Sequence, residues 1–433
     1  MQSRRGWNHA RRETSRVGRV SSVSAKDAEF CAGCGDLSPK RRKNGWRTIF
    51  WIAAAVLLLA MMSSSAFAAR YYVKTDGNDA AEGTSWTVAL LTLTKAADRA
   101  ASGDEVCVAQ GTYKEAKEVT IISNVSFYGG FAGNETDLYQ RNISAHPTVI
   151  DGEDSRRCVI NSGVLDGFHV TGGKSDIGGG IYNDGTVTNC TVYQNIAIGS
   201  FSYGGGIYND GTVTNCALYQ NTAFSVGGGI YNYGGVTNCT VYQNSATGTY
   251  SYGGGGIYND HGIVINCTVY QNSAKSNGGG IYNHFYNTVT NCISWGNQAD
   301  DIYGSSELVR FSCFREGTSG EGNIASDPMF INTLGDISTW DFRLKPGSPC
   351  IDAGTSQYVP ETDILGAPRP QGAGFDMGAY EWVHPFGPQR LLDVLLGREV
   401  LEPWGKSPGD ANGDGKVDVA DYISLMEPAE ATH

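Results

Sequence analysis

Near its carboxyl end the chain reads Gly409-Asp410-Ala411-Asn412-Gly413-Asp414-Gly415-Lys416-Val417-Asp418-Val419-Ala420-Asp421. Counting Asp410 as loop position 1 puts Asn412 at 3, Asp414 at 5, Gly415 at 6, the Lys416 carbonyl at 7, Asp418 at 9 and Asp421 at 12. Hard oxygen ligands at those offsets, with a glycine for the sharp turn, suit Ca2+. A second group, Asp151, Asp154, Arg156, Arg157, Asp166 and His169, holds the residue types that move protons on a glycan and neutralise its charge. A third is aromatic: Tyr182, Tyr208, Tyr231, Tyr258 and Tyr282 recur in one context and Tyr193, Tyr219, Tyr242, Tyr270 and Trp295 in another, the latter beside Gln194, Gln220, Gln243 and Gln271. Flat rings with amides beside them can stack on neutral sugars and bond their hydroxyls.

What must position these residues is a repeat. Between Gly178 and Asn297 the text Gly-Gly-Gly-Ile-Tyr-Asn, then Asn-Cys-Thr-Val-Tyr-Gln-Asn, is written five times with small changes. Its isoleucines (Ile181, Ile207, Ile230, Ile257, Ile281) and cysteines (Cys190, Cys216, Cys239, Cys267, Cys292) recur every 23 to 28 residues, a period of stacked supersecondary units. Side chains alternate in and out along short segments punctuated by Gly, Asn, Asp and Ser, so each repeat is all-β with no room for a helix. Strands this short bury an apolar side only when the next coil lies on top, about 4.8 Å away. The expected fold is therefore an all-β parallel β-helix. Its length changes are placed in the turn after each second-half Asn, as in 196–203 against 222–226. Stacking predicts two Asn ladders, one from Asn183 to Asn283 and one from Asn195 to Asn297, and both aromatic sets as outward columns.

The Gly-Gly-x-Ile element followed by hydrophobic-x-x-Asn resembles the repeat of the polymorphic outer-membrane proteins and related right-handed parallel β-helix proteins, with Val192, Leu218, Val241 and Val269 where that family has Phe. The resemblance implies a right-handed helix and leaves activity open, since such folds carry lyases, hydrolases and adhesins. Gly83-Thr84-Ser85-Trp86, Gly111-Thr112-Tyr113 and Tyr128-Gly129-Gly130-Phe131 are similar to the start of many secreted β-helix proteins, and 91–101 reads as a helix capping the amino end. Asp327-Pro328-Met329-Phe330, Pro346-Gly347-Ser348-Pro349-Cys350-Ile351-Asp352-Ala353-Gly354 and Asp376-Met377-Gly378-Ala379-Tyr380-Glu381 resemble the closing, choice-of-anchor segment of bacterial surface proteins. The tail resembles one calcium loop and helix of a dockerin module. That likeness implies Ca2+ on Asp410, Asn412, Asp414, Lys416, Asp418 and Asp421, and a cohesin-like partner for 409–433.

Arg41, Arg42, Lys43 and Arg47 precede an apolar run, Ile49 to Met62, and Ala66-Phe67-Ala68 offers a cleavage site, which reads as a secretory signal peptide. The expected organisation is 1–68 extension and signal, 69–177 cap and first coils, 178–297 repeat core, 298–384 last coils and closing segment, 385–408 linker, and 409–433 calcium loop and helix. Beyond residue 68 there are 20 basic and 40 acidic residues, a balance that disfavours nucleic acid as a partner and favours neutral glycans or proteins. Cys158 and Cys313 are expected to extend the cysteine column by a coil at each end, all as buried reduced thiols, because parallel Cβ vectors on successive coils bridge poorly.

From Gly178 to Asn297 the acidic and basic residues are Asp184, Asp210, Asp260 and Lys275, too few for a lyase or hydrolase. Asp300-Asp301 and Arg343-Leu344-Lys345 are isolated fragments of a polygalacturonase-type set. The reading is a secreted or cell-surface, outer-membrane-associated protein that binds neutral glycan or a surface protein without catalysis. The rival is a polysaccharide lyase or glycoside hydrolase centred on Asp151, Asp154, Arg156, Asp166 and His169.

Overall fold

The computed structural model describes residues 68–383, apart from 249–252, 286, 306 and 317–318. Each repeat makes one coil of four short strands, as in Ile181–Asn183, Thr186–Thr188, Thr191–Tyr193 and Ile196–Ala197. Like strands of successive coils pair in parallel into four sheets. Sheet I, with ten strands, runs from Arg70–Val73 to Val309–Arg310. Sheets II and III have eight strands each and carry the Ile-Tyr-Asn and Thr-Val-Tyr segments, while sheet IV has five strands of two residues. The chain is a parallel β-solenoid.

Register follows the text. Ile181 pairs with Ile207, Ile207 with Ile230, Ile230 with Ile257 and Ile257 with Ile281. The inward Ile of sheet II, Val of sheet I, and Val or Leu of sheet III share one core with the cysteines; each fully buried Val, Leu or Ile stabilises by about 1.5–3 kcal/mol. The triple glycine is required by this stacking: a Cβ on Gly205 would lie 2.4 Å from the Gly228 carbonyl of the next coil. Asn189, Asn215, Asn238, Asn266 and Asn291 turn the corner from sheet I to sheet III at φ between 48° and 54°, the left-handed region Asn tolerates best among residues with a Cβ.

Both Asn ladders form. Asn161, Asn183, Asn209, Asn232 and Asn259 each donate Nδ2 to the Oδ1 of the following rung at 2.7–2.9 Å, reaching Asn283. In the second, Asn195, Asn221, Asn244 and Asn272 do the same at 2.9–3.0 Å, reaching Asn297. Each amide also bonds backbone carbonyls, so a polar column runs through a dry interior with no lost hydrogen bond.

Four expectations need correction. Length changes occur at two corners rather than one, since His261 and the stretch after His284 lengthen the turn from sheet II to sheet I. Cys158 and Cys313 do not extend the cysteine column: the position above Cys190 is Phe168, whose N–H meets the Cys190 sulfur, and the position below Cys292 is Ser312. Cys158 sits instead at the corner entering sheet II, its thiol donating to Ile150 and Thr171 carbonyls. The helix α1, Leu93–Arg99, is shorter than 91–101; Thr92 caps it by accepting from the Lys95 N–H, and Leu93 and Ala96 enter the core. Residues 327–383 do not sit on the end of the stack but fold back along its side, through the antiparallel pair Phe330–Asn332 and Asp341–Leu344 and a long irregular stretch.

Candidate binding surface

Both tyrosine columns exist, because alternation sends Tyr outward wherever Ile and Asn, or Val, point in. On sheet II, Tyr182, Tyr208, Tyr231, Tyr258 and Tyr282 stack with ring centroids 5.0, 5.4, 5.1 and 5.0 Å apart and planes within 13°. The Arg157 guanidinium covers the Tyr182 end at 5.7 Å and Tyr303 lies against Tyr282 at 5.3 Å. Tyr203 packs on one flank of Tyr231 and Tyr233 on the other, leaving Tyr231 and Tyr258 buried. The ring faces are therefore used by one another, and sugars cannot stack on them as the spacing suggested. What the column presents are the ring edges of the half-buried Tyr182, Tyr208 and Tyr282. Burial raises the Tyr182, Tyr208 and Tyr231 hydroxyls above the usual phenol range, so they stay protonated donors.

Where the corner lengthens, Asp260 gathers partners. Its Oδ1 lies 2.8 Å from His261 Nδ1 and 3.0 Å from His284 Nδ1, and its Oδ2 accepts from the Tyr231 hydroxyl at 3.0 Å. Asp260 is nearly buried, which alone would raise its pKa, but the hydrogen bonds from His284 and Tyr231 prevail and hold it below the usual range. A carboxylate on Nδ1 makes Nε2 of each neutral imidazole the acceptor nitrogen. Sequence reasoning named Asp260 only as a stray charge. The signal was its place in the position after the ladder Asn, one coil before His284 in the same position.

On sheet III the second column divides. Tyr193, Tyr219 and Tyr242 stack at 5.2 and 5.1 Å, with Gln194, Gln220 and Gln243 bonded in line at 3.2 and 3.4 Å. Below that the folded-back arm takes over. Phe342 lies 5.1 Å from Tyr242 and 5.5 Å from Tyr270, Trp340 packs on both, and Phe330 meets Tyr270 edge-on. Trp295 joins the same apolar cluster. The arm is tied down by the corner asparagines: Asn238 donates to the Thr362 carbonyl at 2.7 Å, Asn266 to Asp376 and Gly378, and Asn291 exchanges two bonds with Thr355. Tyr242, Tyr270 and Trp295 are thus half-buried packing residues, a correction to the expected open column.

The proposed acid–base group is dispersed. Asp151 and His169 lie on sheet III, Asp151 beside Lys114 at 3.6 Å and His169 edge-on to Tyr193. Asp154 holds a left-handed turn, and Arg156 bonds the Glu115 carbonyl and Glu153. Asp166 belongs to sheet I, paired with Arg141 at 2.6 Å and Asn189 at 2.8 Å. Arg157 reaches the Ile177 and Gly178 carbonyls and Glu118. Among the described residues no hydrogen bond or ion pair joins any two of Asp151, Asp154, Arg156, Asp166 and His169. Burial lowers the His169 pKa, keeping it neutral. Asp301 is buried beneath the Asn297 amide and held by Arg315, and Arg343 pairs with Asp341, so the Asp-Asp and Arg-x-Lys fragments are structural. Asp410, Asn412, Asp414, Lys416, Asp418 and Asp421, the linker and residues 1–67 lie outside the described residues.

No family model matches the chain and no curated protein matches it. Solved structures are similar to it, among them the following three. A pectate lyase, Pel9A, has a TM-score of 0.39 at 15% identity, over 72% of this chain and 96% of its own. A rhamnogalacturonan lyase has a TM-score of 0.29 at 13%, over 61% and 90%. A complex of XylC with xylose has 0.29 at 10%, over 72% and 99%. At these similarities the likeness does not extend to which residues act.

Proposed function

We propose that the chain is an extracellular or cell-surface solenoid that holds a neutral glycan, or a surface protein, along the open tyrosine column of sheet II without transforming it. One observation carries this: in the five-membered tyrosine stack of sheet II, Tyr182, Tyr208 and Tyr282 stay half-exposed, Tyr182 and Tyr208 with no aromatic contact from the arm among the described residues, while the lower half of the column on sheet III is covered by the arm's aromatic residues. The exposed phenol edges and hydroxyls suit a hydroxyl-rich or aromatic partner. The rise per coil, about 4.8 Å, is close to the length one pyranose ring takes up in an extended chain, which favours a linear glycan running parallel to the axis. The calcium loop at Asp410 to Asp421 would serve as a tether to a cohesin-like partner or the cell surface.

Retention on insoluble neutral glycans tests the reading. Replacing Tyr182, Tyr208 and Tyr282 by Phe removes the hydroxyls of the half-exposed rings while keeping the stack, and should reduce retention at least tenfold; unchanged retention ends the role of this column. Calorimetry of wild type and Asp410→Ala with Ca2+ tests the tail, and identical isotherms refute the ligand set.

The rival reading, a polysaccharide lyase or glycoside hydrolase, is favoured by the Asp260–His284 pair, a carboxylate orienting an imidazole beside the same column. A turnover screen comparing wild type with His284→Gln decides it: activity lost with His284 supports the enzyme.

A further inference from the structure

The stretch Gly83-Thr84-Ser85-Trp86 takes no part in either tyrosine column, yet it builds one wall of an open cleft of about 500 Å3 at the amino end of the solenoid. Tyr72, from the sheet I strand Arg70–Val73, lies in that wall with Ser85, Trp86 and Thr87. The opposite wall is the loop 133–136, which follows the sheet I strand Ser126–Phe131. The volume falls within the range of small-molecule sites, roughly 300–1,000 Å3.

Both walls are held in place by their own bonds. The Trp86 indole N–H donates to the Glu135 carbonyl at 2.8 Å, tying one wall to the other. Tyr72 meets the indole at a steep angle with ring centroids 4.7 Å apart, and the buried Phe131 lies 5.6 Å from it. The Glu135 carboxylate folds back on its loop: Oε1 accepts the Ala132 N–H, and Oε2 accepts those of Gly133 and Asn134 at 2.9 and 3.0 Å. Gln140 Oε1 accepts the Thr136 N–H at 2.8 Å, the Asp137 N–H at 3.1 Å and the Thr136 hydroxyl at 3.2 Å. A loop braced in this way has little left to order when a ligand arrives, which lowers the cost of binding.

What the cleft offers to a ligand is aromatic surface with a neutral polar rim. Trp86 and Tyr72 are half-buried. The Ser85 and Thr87 hydroxyls share one hydrogen bond at 2.9 Å, which leaves a proton and lone pairs to spare. Asn134 is exposed, with an amide that can both donate and accept. A sugar ring matches this set: its C–H face packs on an aromatic side chain while its hydroxyls bond the rim. The Glu135 charge beside the cleft opposes an acidic sugar.

We propose that this cleft is a carbohydrate site for a neutral pyranose, separate from the sheet II column and independent of the reading given to it. The test titrates the full chain with the methyl glycosides of glucose, galactose, mannose and xylose, and with galacturonate as the charged counterpart, following isotope-labelled indole N–H signals by NMR. Trp86→Phe identifies the Trp86 signal by its loss. At least one neutral glycoside should move that signal saturably, and galacturonate should bind at least tenfold more weakly. Asn134→Ala, at an exposed position, should weaken the binding about threefold to tenfold, the worth of one hydrogen bond, without moving the thermal transition. The triple replacement of Tyr182, Tyr208 and Tyr282 by Phe should leave it unchanged, so failure of this site and failure of the sheet II column are told apart. A Trp86 signal unmoved by all four neutral glycosides, galacturonate binding as well as they do, or Asn134→Ala binding like wild type overturns the proposal.

Discussion

The two tyrosine columns are written in almost the same letters and meet different fates. On sheet II the rings stack on one another and are edged by Arg157, Tyr203, Tyr233 and Tyr303. On sheet III the same arrangement runs from Tyr193 to Tyr242 and is then buried under Phe330, Trp340 and Phe342. Nothing within the repeats distinguishes them. The difference is made by a segment more than fifty residues downstream that finds, in the corner asparagines, a row of amides to bond. An outward tyrosine in a solenoid is therefore a site awaiting a cover, and whether that cover is the protein itself or a partner is decided elsewhere in the chain.

The comparison breaks most visibly at the arm. Phe342→Ala should destabilise the docked arm by about 3–5 kcal/mol, the usual cost of deleting a buried Phe. Limited proteolysis would then cut within 327–383 while the solenoid's own unfolding transition stays in place; a shift of both together would mean that arm and coils form one cooperative unit. Next in size, Tyr270→Ala should cost about 3 kcal/mol and Tyr208→Ala about 1 kcal/mol, since only the first leaves a hole beneath aromatic cover. Equal denaturant midpoints for the two variants would erase the distinction between the columns. A smaller effect is expected from pH. Burial pushes the Asp376 carboxyl up to about 7 despite accepting the Asp352 and Trp382 N–H groups. Its folded pKa lies above the unfolded value of about 3.9, so its stabilising share is complete below about pH 4 and is lost as pH rises toward 7. Arm protection should fall over that window, and Asp376→Asn should flatten the dependence; an arm that tightens as pH rises would show the sign to be wrong. Least of all, Gln220→Ala should change stability by under about 0.5 kcal/mol, because its ladder is exposed.

Much of the fold was legible because its cause is local. Ile, Tyr and Asn alternate by the pleat, identical text implies identical coils, and stacking in register then produces both Asn ladders without further information. What escaped has physical causes too. Spacing places tyrosines in a column but does not say whether their faces point at solvent or at each other; that depends on rotamers packed over a distance of one coil. Cys158 lies 32 residues before Cys190 and Cys313 lies 21 after Cys292, both outside the repeat period, which was the available warning that they belong elsewhere. The arm's docking rests on contacts such as Asn238 with Thr362, 124 residues apart, between text that repeats and text that does not. In the sequence Asp260 is one of only three acidic residues between Gly178 and Asn297 and nothing sets it apart from Asp184 and Asp210, whereas in the fold an inserted residue, His261, brings an imidazole against it.

The second Asn ladder has a direction. Every amide hands a proton donor to the rung that follows, and the last of them, Asn297, finds not another amide but the Asp301 carboxylate, itself clamped by Arg315. A carboxylate accepts and cannot donate, so the relay has no way to pass through it. The stack therefore carries its own terminator: a further identical coil appended below Asn297 would meet an anion where it needs an amide. Extra copies of the repeat inserted above Asn297 would lengthen the rod without disturbing that stop.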